Sequence, residues 1–337
     1  MTKMKVFFNR IKSMSIKRML LMIKQIHNES GKSSLLIFID MILCAMKYNI
    51  GYQDYRVFGF AQIKSANRKT FMTMNQNIAL TTLLNKPEAK VYYNDKTLFL
   101  SKFSNYTKRQ WIDIKGKRPN DLKRFCKDKE SIFVKTPHSF GGQGIGEIKI
   151  TPYTNYDALF EELTQSGQTL VEEKIKQHDK MSSLHAESIN TIRIVTILND
   201  GKVHILAQIL RMGQNKSVID NITSGGIYAP VNSEGVITYP AFCDKTGENF
   251  SVHPTTRVYL LGFQVPFYKE AIEMVTEIAC AEKDMGYVGW DVAITPDGPL
   301  IVEGNNLPSY EIMQNYVHRD NDIGLLPTVE KIIGKKL

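Results

Sequence analysis

Residues 286–305 read GYVGWDVAITPDGPLIVEGN, two runs of strand-forming residues joined by the turn sequence TPDG. With the turn centred near Asp297, equal steps of six residues place Asp291 opposite Glu303 on the partner strand. Strand side chains alternate between the faces of a sheet, so these carboxylates and the Asn305 amide share one face. Two facing like charges are destabilising unless a cation lies between them. Their hard oxygen atoms favour a Mg²⁺ site completed by nucleotide phosphates.

The same alternation divides this hairpin into a polar face and a core face. A half-exposed hairpin with a solvated polar face is the alternative interpretation of the pattern. The predicted polar face holds Asp291, Ala293, Ile301, Glu303 and Asn305, and the predicted core face holds Trp290, Val292, Ile294, Leu300 and Val302.

A second pattern upstream consists of two short strands joined by a glycine-rich loop. SIFVK (131–135) ends in Lys135, TPHSFGGQGIG follows, and EIKI (147–150) indicates the second strand. A Walker or dinucleotide loop would lead into a helix instead, so neither motif is present. Glycines let backbone N–H groups approach phosphates closely, with Lys135 as a point charge beside them. The glycines of this predicted phosphate loop are Gly141, Gly142, Gly144 and Gly146.

Further elements follow in the chain. Residues 155–165 indicate a helix with Thr154 as its N-cap, and QTLVEEKI (168–175) indicates a strand with two acids. INTIRIVTIL (189–198) and KVHILAQILR (202–211) flank the sequence Asn-Asp-Gly, which is a strong hairpin signal.

The order of these motifs resembles the ATP-grasp superfamily, and more narrowly its sugar-transfer-associated branch, over roughly residues 40 to 330. The resemblance implies ATP and Mg²⁺ as cofactors. It also implies the ATP-grasp fold, which is an α/β fold of the α+β kind. This fold has a small lid, made of a β-hairpin and a helix, and a C-terminal antiparallel-sheet domain. The motifs that carry it are Asn94-Asp95-Lys96, Lys135 with the glycine loop, Leu170 to Ile175, Asn190 to Arg193, Asp220-Asn221 with Gly225-Gly226, and Asp291 paired with Glu303-Gly304-Asn305.

The resemblance also implies roles for individual residues. It assigns nucleotide phosphate binding to Lys96, Lys135, Gly141, Gly142 and Gly144, adenine and ribose contacts to Glu172, Glu173 and Ile175, and Mg²⁺ binding to Asp291, Glu303 and Asn305. It assigns substrate binding to the loop residues Asp220, Asn221, Gly225 and Gly226, for which a simple turn of the chain is the alternative.

EGNNLPS (303–309) is also similar to the end of the metal motif of D-alanine–D-alanine ligases. Those ligases have an arginine two residues before the first metal acid, where this chain has Gly289. Arg193 and Arg211, on the predicted hairpin, are therefore the candidates for a catalytic arginine. A guanidinium group suits a phosphoryl or carboxylate group better than an ammonium group does. The alternative for each is an arginine at the end of a surface strand.

The activity implied by the resemblance is ATP-dependent ligation of a carboxylate to an amine through an acyl phosphate. The branch is found with polysaccharide-assembly genes, so the expected carboxylate is a hexuronic acid of a cell-surface polysaccharide or its precursor. The expected amine is an amino acid or an amino sugar. Two alternatives stay open: a phosphotransferase acting on a sugar or small molecule, and a non-catalytic ATP-binding partner of a glycosyltransferase.

Composition agrees with a globular enzyme, since 337 residues with 43% apolar content can bury a large core. Four scattered cysteines favour a reducing compartment and no secretory signal is evident, so we expect a cytoplasmic protein. The longest apolar run, Leu35 to Met46, is too short to span a bilayer. The predicted divisions are a basic N-terminal segment (1–34), an α/β region (35–126), a lid (127–176) and a catalytic domain (177–337).

Positive charge is concentrated at the start of the chain. Residues 1–34 hold eight lysines or arginines against one acid, so they contribute +7 to the formal net charge of +9. Interleaved apolar residues predict a basic, partly amphipathic helix. Such a helix can lie on the anionic inner face of the membrane, dock on a glycosyltransferase, or pack on this protein's own first domain. Nucleic acid is not an expected partner, because the basic excess is confined to this segment.

Overall fold

The structure is a computed structural model that describes residues 15–139, 144–152 and 154–337. Its helices are α1 (Ile16–Ser30), α2 (Ser34–Tyr48), α3 (Tyr52–Val57), α4 (Met74–Leu84), α5 (Val91–Asn94), α6 (Lys96–Lys102), α7 (Ser104–Thr107), α8 (Pro119–Cys126), α9 (Tyr156–Ser166), α10 (Asp179–Ser182), α11 (Tyr268–Ala281) and α12 (Leu326–Ile333). Its strands are β1 (Trp111–Asp113), β2 (Ser131–Lys135), β3 (Ile145–Lys149), β4 (Leu170–Glu173), β5 (Thr191–Asn199), β6 (Lys202–Met212), β7 (Ile227–Pro230), β8 (Ala241–Phe242), β9 (Asn249–Phe250), β10 (Tyr287–Thr295) and β11 (Gly298–Asn305).

The chain forms two compact units, one of Met1–Leu80 with Ser309–Leu337 and one of Thr81–Pro308. The predicted division of the chain into four segments stays a prediction. Gly141 and Gly142 of the predicted phosphate loop lie outside the described residues, as do the first fourteen residues of the basic segment.

The described part of the first unit is built from helices around an aromatic cluster. Phe58, Phe60 and Phe71 pack with ring centroids 5.0–5.5 Å apart, at distances where aromatic pairs add to the burial energy. Beside them the Arg68 guanidinium donates to both carboxylate oxygens of Asp40 on α2, at 2.7 and 2.8 Å. This bidentate pair ties α2 to the loop after α3. No helix in the described ranges is long and apolar enough to cross a membrane.

The second unit contains an antiparallel sheet of seven strands in the order β11-β10-β5-β6-β7-β8-β9. Period-two alternation separates its faces, so Trp290, Val292 and Ile194 are buried in the core that contacts α11. The other face carries polar side chains of β5, β6 and β10. The expected fold, mixed α and β structure with an antiparallel C-terminal sheet, is confirmed.

The hairpin predicted around Asn-Asp-Gly is confirmed as β5 and β6. Asn199 pairs with Lys202, so Asp200 and Gly201 form a two-residue turn, and both have the positive φ values of a type I′ turn. The lid helix begins one residue later than predicted: Asn155, and not Thr154, is the N-cap of α9. Its side chain accepts a hydrogen bond from the Ala158 N–H at 3.1 Å.

The register of the C-terminal hairpin is confirmed at its functional end, where Asp291 pairs with Glu303. The predicted faces of β11 are wrong for Leu300, which pairs with Ala293, and for Ile301 and Val302. A β-bulge follows the Asp291–Glu303 pair, so that Val292 is opposite Ile301. An extra residue in one strand reverses the alternation beyond it. Ile301 therefore joins the core, whereas Val302 borders the polar cleft.

A smaller sheet of four strands, in the order β1-β4-β2-β3, forms the lid of the same unit. Ile132 and Val134 point to one face, where they pack with α8 and α9 residues such as Leu122 and Leu163. The alternate residues Phe133 and Lys135 therefore point to the opposite face. That face borders the cleft between the two sheets.

Candidate active site

Two adjoining cavities lie between the small and large sheets of the second unit. The larger has a volume of about 390 Å³ and the smaller about 120 Å³. Because several residues line both, the cavities meet along a shared wall. That wall consists of Lys96, Lys135, Ser139, Glu172, Val302 and Glu303.

A buried ion triad joins the lid to the large sheet. The Glu172 carboxylate on β4 is 2.8 Å from the Lys135 ammonium group and accepts from Arg109 Nε at 2.5 Å. The remaining guanidinium nitrogens of Arg109 donate to the carbonyl oxygens of Ile301 and Val302 at 2.8 and 2.9 Å. Burial alone would raise the pKa of Glu172, but the two cations lower it to about 2. Arg109 thus fixes both the acid that orients Lys135 and the bulge before Glu303.

Lys96 lies at the first turn of α6, where Asp95 is the N-cap and accepts from the Thr97 N–H at 2.8 Å. Its ammonium group donates to the carbonyl oxygens of Thr136 and Ser139, in the segment after β2. Burial, opposed by Glu303, lowers the pKa of Lys96. The Asn-Asp-Lys motif therefore places a cation between the lid segment and the large sheet.

Gly144 is the described glycine at the root of the predicted phosphate loop. Its φ of +66° lies in the left-handed region, and a Cβ there would collide with the Thr136 side chain. Its carbonyl oxygen accepts from the Thr136 N–H at 3.1 Å. Glycine at this position thus closes the β2–β3 connection.

Asp291 is the centre of a buried charge network on the large sheet. Arg193 lies opposite it on β5, and its Nε and a terminal nitrogen donate to the two carboxylate oxygens. Arg211 on β6 donates to Asp291 at 2.7 Å and to Asp220 at 2.8 Å. Burial alone would raise the pKa of Asp291, but Arg193 and Arg211 hold it below its usual value. Both arginines are only 7% exposed, so neither simply ends a surface strand.

The loop assigned to substrate supports this network. Asp220 accepts from the Thr191 N–H at 3.0 Å as well as from Arg211, and burial raises its pKa. Asn221 caps the following short 3₁₀ turn through the Thr223 N–H at 3.0 Å. A Cβ at Gly226 would collide with the Asp220 carbonyl oxygen. Asp220 and Asn221 still line the smaller cavity, so their substrate role stays a prediction.

A buried hydrogen-bond network holds the start of the same loop. His253 Nε2 donates to the Gly213 carbonyl oxygen at 2.9 Å, while its Nδ1 accepts from the N–H groups of Thr255 and Thr256 at 3.3 Å. Because one ring nitrogen donates and the other accepts, these hydrogen bonds require the neutral form of the His253 ring. Burial lowers the pKa of His253 to about 4, and the nearby His185 adds to this effect.

Residues 67–332, which are 266 of the 337 residues, match the family described as sugar-transfer associated ATP-grasp. The chain belongs to this family. A comparison with curated proteins finds no match.

Solved structures with a similar course of the chain include D-alanyl-alanine synthetase A from Vibrio cholerae, at 15% identity and a TM-score of 0.43, covering 75% of this chain and 64% of that one. N5-carboxyaminoimidazole synthetase from Staphylococcus aureus with ADP matches at 13% identity and a TM-score of 0.45, covering 79% and 59%. The chain thus spans about six tenths of the length of these structures.

Gly289 occupies the place where the D-alanine–D-alanine ligase motif has an arginine. A Cβ on Gly289 would lie 3.0 Å from Cδ of Arg193. In this ATP-grasp protein the Arg193 side chain, reaching across from β5, therefore fills the space beside that position. Glycine at 289 thus leaves room for the Arg193 side chain, because a Cβ there would force it to shift by a few tenths of an ångström.

The residues around Glu303 fit a Mg²⁺ ion held jointly with nucleotide phosphates. The Asn305 amide nitrogen donates to the Gly289 carbonyl oxygen at 3.3 Å, which leaves the amide oxygen for a cation. Burial, together with Asp291, raises the pKa of Glu303, as expected for a carboxyl group without its own cation. Among the described residues, no group of three or more His, Cys, Asp or Glu side chains could hold a metal. Phosphate oxygens would complete the shell.

The structure brings most of the predicted site residues together. The smaller cavity is lined by Lys96, Lys135, Glu172, Glu173, Ile175, Arg211, Asp220, Asn221, Asp291 and Glu303, and Asn305 lines the larger one. Arg193 lies behind Asp291. Sequence reasoning missed Arg109, Phe133, Ser139 and Val302. Phe133 could have been found from the alternation of β2, whereas Arg109 is paired with a residue 63 positions away and has no local signal.

Removal of one member of the Arg109–Glu172 pair should destabilise the protein strongly. Arg109→Gln leaves a buried carboxylate with one cation and two carbonyl groups without donors, so we expect a loss of about 3–5 kcal/mol in the free energy of unfolding. Glu172→Gln should also destabilise, and the double variant should lose less than the sum of the single losses. Urea unfolding of all four proteins measures this coupling. The exposed pair Lys86–Asp284 is the control: Lys86→Gln should leave the free energy of unfolding nearly unchanged. If the losses in the free energy of unfolding of the two single variants simply added in the double variant, the coupling between Arg109 and Glu172 would be contradicted.

The neutral His253 predicts a loss of stability in acid. Burial lowers the folded pKa of His253 from its usual 6.5 to about 4, so its contribution to stability is complete above pH 6.5 and disappears as the pH falls towards about 4. The slope from this one proton is at most about 1.4 kcal/mol per pH unit. Urea unfolding between pH 7.5 and 4.5 should show a shallower pH dependence for His253→Gln than for wild type. Identical slopes would contradict the assignment.

Proposed function

We propose that this protein is an ATP- and Mg²⁺-dependent ligase that joins a carboxylate to an amine through an acyl phosphate. The observation that carries the proposal is the shared wall of the two cavities, where Lys96, Lys135 and Glu303 meet. A phosphoryl group in transfer needs cations around it and one pocket on each side, for donor and acceptor. Family membership supports ATP as the donor.

The smaller cavity is the proposed nucleotide site. Phe133, Ile145 and Ile175 give it apolar surface for a base, and Lys96 and Lys135 provide charge for phosphates. Because Glu172 is held by Arg109 and Lys135, we assign its carboxylate to orienting Lys135 and not to contacting adenine. Base recognition then falls to the β4 end around Glu173 and Ile175.

The larger cavity is the proposed acceptor site. In the first step a carboxylate oxygen attacks the γ-phosphorus, the bond to the bridging oxygen breaks, and ADP leaves. Arg211, which lines the smaller cavity, and Arg193 both contact Asp291, opposite Glu303 of the shared wall, where they would neutralise developing negative charge. Glu303 and Asn305 would hold Mg²⁺, which neutralises phosphate charge when bound. An amine nitrogen then attacks the acyl carbon, and phosphate leaves as the nitrogen loses its proton.

We further propose a sugar acid, such as a hexuronic acid of a surface polysaccharide or its precursor, as the carboxylate. The family's association with sugar transfer supports this class. The larger cavity presents Asn94 and Asn306, whose amides both donate and accept as sugar hydroxyl groups require. An amino acid or amino sugar is the proposed amine.

A hydroxylamine trap tests this reaction without knowledge of the amine. Purified protein is incubated with Mg-ATP, hydroxylamine and a panel of sugar acids and amino acids. We expect ADP release with an ATP-dependent hydroxamate of one sugar acid, because hydroxylamine intercepts an acyl phosphate. ADP release with a stable phosphorylated product and no hydroxamate would replace the ligase by a phosphotransferase. Failure to bind Mg-ATP would instead favour a non-catalytic role.

Substitutions at the two facing carboxyl groups should separate metal binding from structural support. Glu303→Gln removes a like charge beside Asp291, so thermal stability without nucleotide should be unchanged or higher, while Mg-dependent ADP release falls about 100-fold or more. Asp291→Asn, in contrast, should lower thermal stability, because two buried arginines lose a counter-charge. Scanning calorimetry and ADP release measure both. Normal Mg-dependent turnover of Glu303→Gln would refute its role as a ligand.

A further inference from the structure

Helix α2 is apolar on all sides but buries only one of them. Ile37, Met41 and Cys44 are buried inside the first unit. On the opposite side, a stripe of six apolar residues with helical spacing is 38–69% exposed. We call it the α2 stripe, and it consists of Leu35, Leu36, Ile39, Ile42, Leu43 and Met46.

The neighbouring helix α1, which packs against α2, also exposes apolar side chains. Its inner face, with Met22, Ile23 and Ile26, is buried, so this helix does pack on the protein's own first unit. Ile16, Leu20 and Leu21 nevertheless remain 54–63% exposed. Exposed apolar side chains in this number on two packed helices indicate a binding surface.

Cations lie on both sides of the α2 stripe in the sequence, namely on α1, in the connection between α1 and α2, and in the last turn of α2. Their side chains are exposed, and none has an acidic partner within ion-pair distance among the described residues. The two acids of these helices are engaged inside the unit, Asp40 with Arg68 and Glu29 with Tyr316 and Arg56. The flanking cations are Lys17, Arg18, Lys24, Lys32 and Lys47.

We propose that the α2 stripe and its flanking cations bind an anionic membrane surface, with α2 lying in the plane of the lipid headgroups. Apolar side chains enter the headgroup boundary while lysines and arginines contact lipid phosphates. From Leu35 to Met46 the helix is about 17 Å long by its rise per residue, shorter than the roughly 30 Å hydrocarbon core, so it lies on the membrane and does not span it. A second copy fits less well, because a two-fold interface would bring the cations of both copies together.

Vesicle flotation of the full-length protein, without ATP or substrate, tests the proposal independently of the enzymatic activity. Vesicles of phosphatidylcholine alone are compared with vesicles containing about 30% phosphatidylglycerol. We expect co-flotation with the anionic vesicles only, weakened in about 0.5 M NaCl.

Matched double variants locate the binding surface. Ile39→Gln with Leu43→Gln changes two exposed residues of the stripe, and Val91→Gln with Leu261→Gln changes two residues of similar exposure in the second unit. The stripe variant should bind anionic vesicles about tenfold or more weakly, and the control should bind like wild type. Circular dichroism and ultracentrifugation verify folding and oligomeric state.

Four results would overturn the proposal. Absence of wild-type binding to anionic vesicles would remove the membrane as partner. Equal binding by the stripe variant would move the contact to other residues. Self-association that the stripe variant abolishes, without vesicle binding, would show that a second copy covers the stripe; capture of a glycosyltransferase through the stripe, again without vesicle binding, would assign it to that protein.

Discussion

The site depends on the burial of the Asp291 carboxylate, which is stable as an anion only because two guanidinium groups contact it. Arg193 reaches it from the neighbouring strand and Arg211 from the strand beyond, so the register of three strands determines whether the charge is compensated. A slip of one residue would turn one partner into the core, where an unpaired charge is costly. The charge network and the sheet register therefore stabilise each other.

The sequence predicted the parts of the fold that local rules control. Period-two alternation and a short turn placed Asp291 opposite Glu303, and Asn-Asp-Gly defined the β5–β6 hairpin. The bulge near Val302 could not be predicted, because neither glycine nor proline marks it and both register choices offer a strand rich in apolar residues. Its cause is long-range: Arg109 binds the carbonyl groups of Ile301 and Val302, far away in the chain.

The same distinction between local signals and long-range contacts applies to the candidate site. Most of the residues that the resemblance predicted for the site line the two cavities. The resemblance did not reveal what each side chain contacts. Glu172, expected beside adenine, is occupied by Arg109 and Lys135, and Asp220, expected at substrate, supports Arg211. Such pairings join residues that are distant in the chain, so they follow from the folded geometry and not from any spacing.

The proposed chemistry and the proposed surface contact lie in different units: the site belongs to Thr81–Pro308, and the α2 stripe to the unit that begins the chain. The sequence shows a continuous apolar run there, but a helix that is apolar all round gives no sign of which side stays exposed. If the acceptor is carried on a lipid, membrane attachment raises its effective concentration at the site without any new contact to it. Attachment would then lower the apparent KM for that acceptor and leave kcat unchanged, because the groups around the transferred phosphoryl are unaffected.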